Sequence, residues 1–159
     1  MALEPLASVR ALVAAYRSSR YVVDTTDGAR VILRVDEDTP AALRAWIGSG
    51  AAACYITACN PASRVLRAEE NAQRMAALRG RLRATGGEWL DGIAHDARGE
   101  WREAGLLVRG LDASTTDTLA RRFGQNATLC VPAAGPVQLR IHRDDWLRLL
   151  ASTTSGTTR

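Results

Sequence analysis

The order of elements written into this sequence predicts an α+β fold. Three observations carry that. Residues 53–59 (Ala-Cys-Tyr-Ile-Thr-Ala-Cys) are small, aromatic or β-branched without a charge, the composition of a strand buried on both faces. The strongest helical pattern, over residues 66–85, follows directly and ends at Gly86-Gly87. Leu106-Leu107-Val108 is a second charge-free run, reached through a hairpin.

Taken in order, residues 6–16 place Leu6, Val9, Val13 and Tyr16 at helical spacing with Arg10 and Arg17 outside, an amphipathic helix. Residues 21–24 and 30–35 flank Asp27-Gly28, a two-residue turn signal, and predict a hairpin. Thr39 before Pro40 reads as an N-cap with proline at the first helical position, opening a short helix to Ile47. Asn60-Pro61 stops the central strand, since proline supplies no ladder donor and biases its predecessor away from helix. In the helix that follows, Ala68, Met75, Leu78 and Leu82 form the expected inner stripe. Strands at 88–93 and 103–110 bracket the polar loop 95–100; a helix at 114–123 stops at Gly124; strands at 127–131 and 137–141 and a helix at 144–150 close the chain.

Residues 53–131 thus run strand, helix, strand, strand, helix, strand, the order of a ferredoxin-like split βαβ core. It carries an N-terminal helix-hairpin-helix extension and a C-terminal strand and short helix. One domain over residues 1–151 is expected from 159 residues that are 47% hydrophobic, with the Ser/Thr/Gly-rich residues 152–159 as a disordered tail.

All 21 basic residues are arginine, and 17 carboxylates are interspersed with them, leaving a formal charge of +4 and no single-sign block. Nucleic-acid binding is allowed by this charge but not favoured. Cys54, Cys59 and Cys130 form no Cys-x-x-Cys pair, and the sequence shows neither an N-terminal basic-then-apolar pattern nor a membrane-length apolar run. A soluble cytoplasmic protein with buried free thiols is expected. His95-Asp96 and His142-x-Asp144-Asp145 lack the ligands of a metal site, so neither a metal nor a cofactor is expected. No nucleophile-elbow, Walker or dinucleotide motif occurs.

In a split βαβ sheet, the end of the first strand and the starts of the third and fourth share one edge. That geometry gathers Asn60, Ser63, Glu70, Arg74, Glu103, Gln125 and Asn126 on one rim. Glu103 precedes a buried strand, where a carboxylate needs a partner; Arg74 or Arg64 can supply it. Glu70 with Arg74 is otherwise a helix-surface pair, and the amides are turn or cap residues if the rim is structural.

The motifs Ile56-Thr-Ala-Cys-Asn-Pro-Ala-Ser63, Glu70-Asn-x-x-Arg74, Gly99-x-Trp-x-Glu103, Leu107-Val-x-Gly110 and Phe123-Gly-Gln-Asn-Ala127 together resemble an uncharacterised bacterial family, number 3293 in the domain-of-unknown-function series. The resemblance spans roughly residues 16–140. It implies no activity. The pattern usually reads Pro-Ser after the glutamate, where this chain has Ala104-Gly105; were that serine a nucleophile, this chain would lack it.

Three functions follow as expectations: a module binding an unidentified polar small molecule at the rim, an enzyme using Glu103 as general acid or base, or a nucleic-acid binder using Arg67, Arg74 and Arg81 as a stripe on one helix.

Overall fold

A computed structural model describes residues 6–152 of the chain. It is α+β, a curled sheet of seven strands with five α-helices. The elements are α1 (Leu6–Ser18), β1 (Arg20–Asp24), β2 (Arg30–Leu33), α2 (Ala41–Ile47), β3 (Ala52–Ile56), α3 (Ala68–Thr85), β4 (Glu88–His95), β5 (Arg102–Arg109), α4 (Ala113–Arg122), β6 (Ala127–Pro132), β7 (Gln138–Ile141) and α5 (Asp144–Ser152). The strand order is β2-β1-β4-β5-β3-β6-β7, with every neighbouring pair antiparallel.

The charge-free runs become the middle of this sheet. Cys54, Tyr55 and Ile56 pair with Val108, Leu107 and Leu106, and all six are buried. Their alternation divides the core. Cys54, Ile56, Leu106 and Val108 meet Met75, Leu78 and Leu82 of α3 and Leu119 of α4. Tyr55, Leu107 and Leu129 face the other way, in one cluster with Tyr21, Val23, Leu33, Leu43 and Val137. The sheet curls around that second face. Asp36 N–H donates to Val137 O at 2.8 Å and Val137 N–H to Glu37 O at 2.9 Å, so the chain after β2 folds back onto the chain before β7.

Several expected boundaries move for local reasons. The central strand ends at Ile56, not Cys59, because Thr57 leaves the ladder: its hydroxyl donates to Ala104 O at 2.6 Å and accepts from Cys59 N–H at 3.0 Å. Thr39 is not the cap of α2. Pro40 holds that position, while the Thr39 hydroxyl is buried and bonds nothing among the described residues. α4 begins earlier than expected, since Asp112 accepts from Thr115 N–H at 2.7 Å and caps it. Ala68 is exposed and leaves the inner stripe of α3 to Met75, Leu78 and Leu82. The expected tail lies outside the described residues, apart from Ser152, which closes α5. Among the described residues no helix is long and apolar enough to cross a membrane.

Candidate functional site

On β5, the alternation that buries Leu107 in the curled face carries Gly105 and Glu103 to the same side, and on β4 it carries Leu90, Gly92 and Ala94. α1 lies over the open end of this face. Between them is a cavity of about 350 Å³, lined by Leu12, Ala15 and Tyr16 from α1, by Tyr21, Tyr55, Ala94, Glu103, Leu129 and Leu139 from the sheet, and by Ser19, Asn60, Ser63, Asp96, Trp101, Gln125 and Asn126 from the turns.

Tyr55 sets the floor of the cavity. Its ring lies across the cross-strand pair Gly92 and Gly105. A Cβ at Gly105 would sit 2.5 Å from the Tyr55 hydroxyl, and one at Gly92 would sit 2.8 Å from Val22 O, so neither position admits a side chain. This gives the departure at Ala104-Gly105 a physical partner: a serine there is incompatible with the Tyr55 ring as placed. Tyr21 meets that ring at 70° with centroids 5.1 Å apart. The Tyr55 hydroxyl is buried and has no hydrogen-bond partner among the described residues. Burial, then the neighbouring Tyr21 and Glu103, push its pKa up.

Glu103 is a half-buried carboxyl on the cavity wall. Asn60 Nδ2 donates to its Oε2 at 2.8 Å. Burial pushes the carboxyl up from 4.5 to about 7, and the Asn60 bond opposes this only in part. No arginine forms an ion pair with it among the described residues, contrary to the expected Arg74 or Arg64 partner.

The expected rim divides in two. Asn60, Ser63, Glu103, Gln125 and Asn126 meet at the cavity, whereas Glu70 and Arg74 do not. Glu70 is exposed and accepts from Arg67 N–H at 3.1 Å, serving the first turn of α3. Arg74 turns inward: Nε donates to Ala58 O at 2.6 Å and the guanidinium also reaches Phe123 O and the Phe123 ring. The basic stripe of α3 therefore loses its middle member.

The amides have structural duties of their own. Gln125 Nε2 donates to Cys59 O at 2.9 Å, and Asn60 Oδ1 accepts from Leu66 N–H at 3.0 Å and Asn71 Nδ2 at 2.8 Å. These bonds hold a turn in which Asn60, Ala62 and Ser63 all have positive φ, at 46°, 52° and 59°, values that side-chain-bearing residues adopt only under tertiary constraint. Asn126 Nδ2 donates to the Tyr16 hydroxyl at 3.1 Å and to Ser63 Oγ at 3.2 Å, tying α1 to the turn. Asn126→Ala is therefore expected to lower stability by about 1 kcal/mol, because it removes both of these bonds while leaving the Tyr16 and Ser63 hydroxyls bonded to each other. Equilibrium urea unfolding measures this, and an unchanged midpoint would show that Asn126 does not hold α1 in place.

The remaining candidates are structural in character. Burial raises the Cys59 thiol and pushes Cys54 up to about 12, the reverse of an activated nucleophile. His142 is buried, shares a 2.8 Å hydrogen bond with Thr128, and is lowered by burial. No group of three or more metal-ligating side chains occurs among the described residues.

Sequence reasoning missed Tyr16, Tyr21, Asp96 and Trp101 as cavity residues. Strand alternation at Tyr21 was a usable signal, but nothing local announces that α1 covers this end of the sheet. No curated protein and no solved structure gives a significant match to the chain. A family model does match, over residues 56–128, which hold Asn60, Arg74, Glu103 and Gln125 as well as the Gly92–Gly105 floor. Over that segment, somewhat under half of its length, the chain is similar to the family described as Protein of unknown function (DUF3293).

Proposed function

We propose that this chain is a small-molecule binding module whose site is the cavity between α1 and the curled sheet. The observation that carries this is a desolvated carboxyl, Glu103, and an unpartnered buried hydroxyl, Tyr55, lining one cavity of about 350 Å³. Such a volume falls within the range of about 300–1,000 Å³ typical of ligand pockets. Leu12, Ala15, Ala94, Leu129 and Leu139 suit an apolar body, so the ligand has one polar head rather than the many polar groups a free rim of amides would take. A second reading, an enzyme with Glu103 as general acid or base, is favoured by the pKa of about 7, which leaves both protonation states populated near neutrality.

The strand order β4-β5-β3-β6, with α3 and α4 as crossovers, supports a ferredoxin-like split βαβ unit extended by α1 to α2 and by β7 and α5. Three free cysteines support a reducing, cytoplasmic setting.

Phenol, an apolar ring with one hydroxyl, is the simplest probe of the binding reading. Its titration should give saturable chemical-shift changes in the methyls of Leu12, Leu129 and Leu139 and in the Trp101 indole, weakened in Tyr55→Phe. Changes that do not saturate, or that cluster away from these residues, refute the cavity as the site.

A further inference from the structure

The sequence has no lysine, and its arginines outnumber the side-chain carboxylates 21 to 17. The cavity inverts that balance. Among the described residues no arginine lines it, whereas Glu103 and Asp96 both do, together with all three tyrosines and Trp101. Arginines close by have protein partners: Arg143 bonds Asp145 at 2.6 Å and Asn126 Oδ1 at 3.3 Å, Arg74 bonds the carbonyls of Ala58 and Phe123, and Arg20 reaches Ala97 O at 3.5 Å.

Resting on the binding reading above, we propose that the ligand is an organic cation, an ammonium group on a small apolar body, held by the Glu103 carboxylate within the aromatic walls of Tyr16, Tyr21, Tyr55 and Trp101. Aromatic faces carry negative charge density and attract a cation within about 6 Å of the ring centre, most strongly where water is excluded. Tyr21 and Tyr55, edge to face with centroids 5.1 Å apart, both line the cavity. The unpartnered Tyr55 oxygen adds a dipole beside it. An anion would meet two carboxylates and no counter-charge. A neutral ligand would make no use of the Glu103 charge.

The titratable groups around Glu103 are Tyr21 of β1, Tyr55 of β3, Cys59 in the turn after it, Tyr16 of α1 and Asp96 of the β4–β5 turn, with Asn60 as its uncharged hydrogen-bond donor. Burial drives Tyr21, Tyr55 and Cys59 upward, so among these Glu103, at about 7, is the group that gains charge near neutrality. A bound cation stabilises the ionised carboxyl. Binding therefore releases a proton below the Glu103 pKa, and affinity rises with pH up to about 7 before levelling.

Three probes of similar shape and different charge test this: benzyltrimethylammonium, benzyl alcohol and benzoate, titrated calorimetrically into the full chain at about pH 5.5 and about pH 8.5. The cation should bind about tenfold tighter at the higher pH than at the lower, and there about tenfold tighter than benzyl alcohol, whose own affinity stays flat. Benzoate should bind weakest at the higher pH. Glu103→Gln should remove both the pH dependence of the cation and its advantage over benzyl alcohol. Benzyl alcohol or benzoate binding as tightly as the cation at the higher pH, or a cation affinity indifferent to pH, overturns the cation class while leaving the cavity a binding site. If none of the three binds and phenol also fails, the binding reading falls with it.

Discussion

Arg74→Ala is expected to destabilise this protein by about 3 kcal/mol, lowering Tm by about 6–12 °C for a chain of this size. The guanidinium holds Ala58 O at the end of the central strand and Phe123 O at the end of α4, and lies over the Phe123 ring at 5.9 Å. Ala58 is fully buried and Phe123 nearly so, so both carbonyls lose a charge-assisted donor that water cannot readily replace. Lysine at this position keeps the charge but cannot fork to two carbonyls, and should recover only part of the loss. Because the partners are carbonyls rather than carboxylates, the cost should be the same on either side of neutral pH. Thermal melts of Arg74→Ala and Arg74→Lys check this. A melt within a degree of wild type would mean that α3 and α4 are joined to the strand end by packing alone.

Glu103→Gln is expected to stabilise the protein at high pH and to change little at low pH. The folded-state carboxyl titrates at about 7 against an ordinary 4.5, so between those values the folded chain binds more protons than the unfolded one. Stability from this group therefore falls as the pH rises from about 4.5 to about 7 and is level above that, a loss of about 2–3 kcal/mol in all. Glutamine keeps an oxygen for Asn60 Nδ2 and has no charge to bury. The difference in unfolding free energy between variant and wild type, followed by denaturant titration across this range, isolates Glu103 from other carboxylates such as Asp117, which ion pairing with Arg140 holds low. A pH-independent difference would mean that the carboxyl is solvated in the folded protein.

Local chemistry was enough to determine most of the elements. The charge-free runs at 53–59 and 106–108 marked strands that had to be covered on both faces, and they do pair in the middle of the sheet. Asp27-Gly28, Gly86 and Gly124 marked turns because each needs a backbone with positive φ at its glycine. The meeting of Asn60, Ser63, Glu103, Gln125 and Asn126 at one place was also legible, since element order alone carries those strand ends to a common edge. What each side chain does there was not. Arg74 had nearby carboxylates in sequence and chose carbonyls in space, because the turn after β3 leaves backbone oxygens that no ladder satisfies. Tyr55 and Gly105 are fifty positions apart in the chain, and only the pairing of β3 with β5 shows that the glycine exists to admit the ring. The cavity itself depends on α1 closing over the sheet and on the chain after β2 returning to the chain before β7. Both are contacts between distant segments, and no periodicity within either segment encodes its partner.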